Sequence, residues 1–350
     1  MTRKINSMKQ ILNTLYVMTR GSYIHLDHDT VKVEVEKEVK LQVPLHHLGG
    51  LVAFGDVLIS PGLLHRFADD GKTVSLMDEI GRFKCRMYGP TQGNVLLRCA
   101  QHQALHDREK CVLIARNIVA GKIQNTRQVV LRGSRDTDCP EDSGHLKKTA
   151  EALSNALDRL ADAKDLEVVR GIEGEAARGY FSSFDRMVRE DRETFSFKER
   201  SRRPPLDPIN ALLSFLYAIL LNDCVGALEA VGLDPQVGYL HALRPGRPAL
   251  ALDLMEEFRP ILADRLALTL VNRKQIGAKD FEDRPGGAVY LNEKGRKEVV
   301  VAYQKRKQEE IQHQVLEQKV PLGLICHTQA RLLARYIRGD VETYIPFLYR

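Results

Sequence analysis

The chain has 350 residues, 43% hydrophobic and 28% charged, with 52 basic against 46 acidic side chains for a net charge of +6. That length suits two domains of ordinary size or one large one, and the balance excludes a disordered, collagen-like or coiled-coil chain. The small positive excess permits an anionic partner without demanding one.

Six cysteines stand far apart with no CxxC pair, which argues against a zinc ribbon and for reduced thiols. The longest strongly apolar run, residues 211–221, is too short to span a bilayer. The first ten residues hold no apolar stretch of signal-peptide type. A cytoplasmic protein with no membrane partner is expected. Met8 reads as an alternative start, which would make residues 1–7 a disordered extension.

Residues 8 to about 95 read as β-rich. Val31, Val33 and Val35 alternate with charged residues, and Val39, Leu41 and Val43 do the same, the period of two of half-buried strands. Residues 51–54 and 74–77 look like buried strands, and 82–88 alternates again. One short helix is expected between them, capped by Ser60, begun by Pro61 and ended by Gly71. Beyond residue 100 the apolar spacing becomes helical: 101–121, 143–162, 165–188, 209–221 after the Asp207-Pro208 start, 251–271, 293–316 and 322–339. Residues 133–144 read as an acidic surface loop, 194–205 as a basic linker, and 280–292 as a small hairpin around Pro285-Gly286-Gly287. The expected class is α+β: an N-terminal β-rich domain over residues 1–99 and a larger all-α catalytic domain over 100–350.

No Walker loop, dinucleotide fingerprint, HExxH helix or GxSxG elbow is present. The His25-Leu26-Asp27-His28-Asp29 cluster falls at a hairpin turn, where such residues are ordinarily solvated. His241 is more informative. It ends an apolar stretch and is followed by a turn, Arg244-Pro245-Gly246-Arg247-Pro248, and then by a helix carrying Asp253 and Glu256 three residues apart on one face. Acids near a helix start are favoured by its dipole alone, yet the tight turn can fold His241 back towards them. One imidazole with one or two carboxylates suits a divalent ion. A third arm is Glu173, which shares a helix face with Ala177 and Tyr180. A carboxylate on such a face is costly unless paired or metal-bound. The glycines beside it, Gly171 and Gly174, hint at close backbone approach.

These segments carry a resemblance. GIEGEAARGYF at 171–181, RRPPLDPINALLSFLYAILL at 202–221, GLDPQVGYLHALRPGRPALALDLMEEFRP at 232–260, the hairpin at 280–300 and the ending YIPFLYR are similar to the CRISPR-associated endonucleases of spacer acquisition, the integrase subunits of the adaptation complex. The flavour is closest to the type I-C branch, and the likeness runs over residues 8–350. It implies an N-terminal β domain, a helical catalytic domain, and one Mg2+ or Mn2+ site held by Glu173, His241 and Glu256. Asp253 stands beside them as a supporting or alternative ligand. It also implies a homodimer, a small ferredoxin-like adaptation partner, and double-stranded DNA as substrate, both incoming spacer DNA and CRISPR repeat. Arg178, Arg202, Arg203, Arg244, Arg247 and Arg259 lie near the motifs and are candidate contacts to the DNA backbone, against the alternative of ordinary solvated charges. Two rival readings share these residues: a stand-alone metal-dependent nuclease of repair or recombination, and a catalytically silent DNA-binding scaffold.

Overall fold

The computed structural model describes residues 13–90 and 95–349. The proposed extension before Met8 lies outside them. The described chain forms two compact units. One holds the residues up to Pro90 with 307–309 and 321–324, and the other holds the rest.

The first unit is two four-stranded sheets and one helix. Strands β1 (Asn13–Val17), β2 (Tyr23–Asp27), β3 (Thr30–Val35), β4 (Glu38–Pro44), β5 (Leu48–Phe54) and β6 (Leu58–Ile59) precede helix α1 (Pro61–Asp69), and β7 (Thr73–Met77) and β8 (Phe83–Met87) follow it. One sheet runs β4-β3-β2-β6 and the other β1-β5-β7-β8. The valine alternations form β3 and β4, paired antiparallel, with Val31 opposite Val43 and Val33 opposite Leu41. In the second sheet β5 pairs in parallel with both β1 and β7. Ser60 caps α1 by accepting from the Leu63 amide at 3.3 Å. Ile24, Val31, Leu51, Leu63, Phe67 and Val74 make the core.

The second unit is mainly helical. It contains α2 (Val95–Ala104), α3 (Arg108–Asp136), α4 (Pro140–Ala161), α5 (Leu166–Ser182), α6 (Pro208–Val231), α7 (Ala249–Glu256), α8 (Arg265–Asn272), most of α9 (Glu293–Gln308) and α10 (Ile325–Arg338). It is not all-α. Strands β9 (Phe281–Arg284) and β10 (Ala288–Leu291) make the expected hairpin. A second two-stranded sheet pairs β11 (Glu310–His313) with β12 (Gln318–Pro321). The helix expected to run to residue 316 therefore stops at Gln308. The acidic loop expected over 133–144 shrinks to three residues, because α3 continues to Asp136 and Pro140 opens α4.

Helix α6 begins at Asp207, whose carboxylate accepts from the Asn210 amide at 2.7 Å, and ends at Gly232 in the left-handed conformation, φ 91°. It extends ten residues beyond the expected apolar run, and as a whole is long and apolar enough to cross a membrane by length and composition. Its buried residues, Ile209 to Leu213, Leu216, Leu220 and Leu228 among them, mark it as the central helix of this unit.

Candidate active site

Four helices and one turn of the second unit bring together the residues that carry chemistry. Helix α5, capped by Asp165 on the Glu167 amide at 2.8 Å, presents Glu173 and, two turns on, the buried Tyr180. The Tyr180 hydroxyl donates to Asp264 Oδ2 at 3.0 Å, and Tyr217 of α6 donates to Oδ1 at 2.6 Å. Asp264 thus ties α5 to α6. Its burial raises the carboxyl to about 6 against the opposing effect of those two hydroxyls. The spacing hint from Gly171 and Gly174 is not realised. A side chain at Gly171 would meet open space, and at Gly174 only the Arg178 guanidinium at 3.8 Å.

The glycine that matters is Gly238. A Cβ there would lie 2.6 Å from the Ala249 carbonyl carbon and 2.8 Å from Asp253 Oδ2. Its absence lets the stretch before His241 press against α7. Asp253, fully buried, then accepts from the amides of Tyr239 at 2.6 Å, Leu240 at 3.0 Å and His241 at 2.9 Å. It also meets His241 Nδ1 at 2.7 Å. Arg170 of α5 adds a bond from Nε to the Leu240 carbonyl at 2.7 Å. With Nδ1 held by a carboxylate, His241 turns Nε2 towards Glu256 Oε1, 3.8 Å away.

Glu256 ends α7. Three residues on, Arg259-Pro260 opens a π-type turn, Arg259–Asp264. Proline has no amide to continue the α ladder, so the helix is interrupted there. Arg259 Nη1 returns to Glu256 Oε1 at 2.8 Å, and its guanidinium lies over the Tyr217 ring at 5.0 Å. Lys122 of α3 completes the cluster. Its ammonium contacts Glu173 Oε1 and lies 2.7 Å from Glu256 Oε2. Among the described residues the buried Glu256 Oε2 has no hydrogen-bond partner, so its contact with Lys122 is an ion pair. Burial raises the Glu256 carboxyl, but Arg259, Lys122 and His241 outweigh it and hold the group down at about 2. Lys122 is likewise disfavoured as a cation by burial, yet Glu256 and Glu173 raise it above its ordinary value.

Glu173, Glu256, His241 and Asp253 are thus linked in a chain of contacts, Glu173 to Glu256 through Lys122 and Glu256 to Asp253 through His241, and Arg259 joins them as a partner of Glu256. Among the described residues, no three His, Cys, Asp or Glu side chains stand close enough as they are to hold a metal. The ammonium of Lys122 is engaged with both glutamates instead. The donor set nonetheless suits a hard divalent ion: two carboxylates, one with an oxygen lacking a hydrogen bond, and an imidazole Nε2 whose partner nitrogen is held by Asp253. Of the other arginines, Arg178, Arg202, Arg203 and Arg244 are exposed and Arg247 is half-buried. The His25–Asp29 turn is plain: His25 bonds Glu34 at 2.9 Å and His28, almost fully exposed, meets Asp27 at 2.8 Å.

The place of Lys122 in this cluster is not legible in the sequence. Its one local signal is position, on the α3 face that buries Ile118, Val119, Asn125 and Thr126, where a lysine needs an acid from elsewhere in the chain.

A family model described as CRISPR associated protein Cas1 matches residues 15–305. The chain is 62% identical over 343 residues to a CRISPR-associated endonuclease Cas1 of Moorella thermoacetica, covering 98% of this chain and 100% of that one. Among solved structures, a Cas1 protein from Thermotoga maritima superposes with a TM-score of 0.80 at 26% identity, over 95% of this chain and 99% of that one. A chain of a partial Cas6-RT-Cas1–Cas2 complex superposes at 0.64 and 25% identity, over 96% of this chain and 98% of that one. Sequence and fold agree along nearly the whole length, and the chain belongs to the Cas1 family of CRISPR-associated endonucleases.

Proposed function

We propose that this Cas1 endonuclease performs DNA cleavage and spacer integration at the Glu173–His241–Glu256 cluster, loaded with Mg2+ or Mn2+. The observation that carries the reading is the Asp253–His241 pair. A carboxylate that accepts three backbone amides and fixes imidazole Nδ1 leaves Nε2 oriented as a ligand beside Glu256, the arrangement that sets a metal-binding histidine. Glu173 and Glu256 supply hard oxygen donors, and Asp253 acts by positioning His241 rather than as a ligand.

When bound, the ion supplies Lewis-acid polarisation of a phosphoryl oxygen and offsets charge on the attacking or leaving oxygen. The protein holds the ligands rigid. Tyr180 and Tyr217, through Asp264, fix the helix bearing Glu173, and Arg259 steadies Glu256. In integration, a strand's 3′-OH attacks a repeat phosphorus. A new P–O bond forms, the bond to the repeat's own 3′ oxygen breaks, and the proton of the attacking hydroxyl is given up as the leaving oxygen becomes a 3′-OH. One phosphodiester replaces another, so no nucleotide cofactor is required. With water as nucleophile the same geometry hydrolyses DNA.

The wider reading assigns the catalytic role to residues 100–350 and an assembly role to the β-rich residues 1–99. It takes double-stranded DNA as substrate, both incoming spacer DNA and CRISPR repeat, and places the chain in the cytoplasm, closest to the type I-C branch. An adaptation partner, taken in this reading to be small and ferredoxin-like, is supported as a partner by the similar chain solved in a complex named with Cas2. A homodimer through the β unit is supported by edge strand β4, exposed along nearly all its length with Val39 and Leu41 outward. Light scattering at micromolar concentration should give twice the chain mass, and a monomer throughout that range would refute the dimer. Family membership favours this reading over a stand-alone repair nuclease.

The site is tested by calorimetric Mn2+ titration together with a strand-transfer assay on labelled duplex. Glu173→Ala, His241→Ala and Glu256→Ala should each lose transfer and tight Mn2+ binding while keeping a folded circular-dichroism spectrum. Asp253→Asn should weaken both by about 10–100-fold, as loss of a ligand's supporting partner does. Wild-type transfer by His241→Ala would sink the assignment.

A further inference from the structure

Lys122 is the residue of this cluster that the metal reading leaves without a task, and its surroundings give it one. It sits on α3, fifty-one residues from Glu173 and 134 from Glu256 in sequence, and only 14% of its side chain is exposed. Its ammonium contacts one oxygen of each glutamate, and its partner on Glu256 is the oxygen that has no hydrogen bond. Two carboxylates brought together away from water repel each other and lose hydration, so they need a cation between them. Arg259 and His241 lie on the Oε1 side of Glu256. The cation that links Glu256 to Glu173 is Lys122.

These are oxygens that a divalent ion would use. An ammonium and an Mg2+ or Mn2+ ion sharing the same two carboxylates would stand within a few ångströms of each other, where like charges repel strongly in a partly desolvated site. We propose that Lys122 is a built-in placeholder cation: it holds Glu173 and Glu256 together in the ion-free protein and is displaced from them when the divalent ion enters. The flexible four-carbon stem of lysine allows the head group to withdraw, which the planar fork of arginine does less readily. Metal affinity is then set by a competition inside the protein as well as by the ligands. This inference rests on the assignment of Glu173 and Glu256 as ligands.

The test compares full-length wild type, Lys122→Met, Lys122→Arg and Glu256→Gln by Mn2+ calorimetry and by thermal melting with and without Mn2+. Removal of the competitor should tighten Mn2+ binding by Lys122→Met by about tenfold or more, as expected for loss of a nearby like charge. Without metal, Lys122→Met should melt below wild type, and saturating Mn2+ should close that gap. Lys122→Arg keeps the charge and should bind Mn2+ no more tightly than wild type. If Lys122→Met does not fold, Lys122→Gln takes its place. Unchanged or weaker Mn2+ binding by the neutral variant overturns the proposal. Loss of Mn2+ by Glu256→Gln with Lys122→Met equal to wild type sinks only this inference. Binding of Mn2+ by Glu256→Gln as well as by wild type, or by no variant at all, sinks the metal assignment with it.

Discussion

Glu256 and Glu257 are neighbours in sequence, both buried, and they are driven in opposite directions. The first faces Arg259, Lys122 and His241, which overcome burial and hold its carboxyl at about 2. The second, among the described residues, is bonded by neutral donors: the Tyr344 hydroxyl, the Phe347 amide at 2.7 Å and Gln329 Nε2 at 3.2 Å. Burial there pushes the carboxyl from 4.5 up to about 8, against the partial opposition of those donors. One helical step of about 100° separates a carboxyl held low by its cationic partners from one pushed high by burial. Between those two values the folded chain keeps a proton at Glu257 that the unfolded chain has released. The stabilising contribution is full below the unfolded value and falls as pH rises through the window, by up to about 1.4 kcal/mol per pH unit for one group. Glu257→Gln stays uncharged throughout. Urea unfolding between about pH 5 and pH 8 should show a shallower decline in midpoint for the variant than for wild type. Parallel declines would assign the proton to another group.

At the scale of elements, what was legible is what local chemistry decides. Ser60-Pro61 and Asp207-Pro208 start helices because a side-chain oxygen answers a free amide and proline needs none, and both do so here. The valine alternation gave β3 because one face of that strand is buried, Val31 and Val33 pointing into the core; β4 is a strand as expected but not a half-buried one, since it lies at the sheet edge with Val39 and Leu41 exposed. The grouping of His241, Asp253 and Glu256 was legible because one short segment carries all three. Elements decided by distant partners were not. The parallel pairing of β1, β5 and β7 joins strands far apart in sequence, and nothing in residues 310–313, Glu-Ile-Gln-His, distinguishes a strand from a continuing polar helix. The segment 133–144 is rich in Asp, Ser and Gly, yet all but three of its residues are helical, because Asp142 is buried and paired with Arg186 at 2.7 Å and Arg192 at 2.8 Å. Lys122 belongs with these. Its partners lie on α5 and α7, and no periodicity along α3 encodes them.

For the molecule as a whole, a net charge of +6 over 350 residues is too small to hold DNA by bulk attraction. The proposed source of binding is arginines gathered locally, and the candidates differ in their surroundings. Arg259 is engaged by Glu256 and by the Tyr217 ring, and so contributes to the site rather than to an open surface. Arg244 is exposed and Arg247 half-buried in the turn around Gly246, and that turn joins His241 directly to the helix carrying Asp253 and Glu256. The proposed contact of this turn with a DNA phosphate rests on that adjacency in the chain. Each phosphate contact contributes about 0.9 to the slope of log affinity against log salt. The double variant Arg244→Ala with Arg247→Ala should therefore bind duplex DNA with a slope flattened by up to about 2 units, across unrelated sequences alike. Filter binding or fluorescence anisotropy over a salt series measures this directly. A slope equal to that of wild type would mean the turn does not meet the DNA backbone.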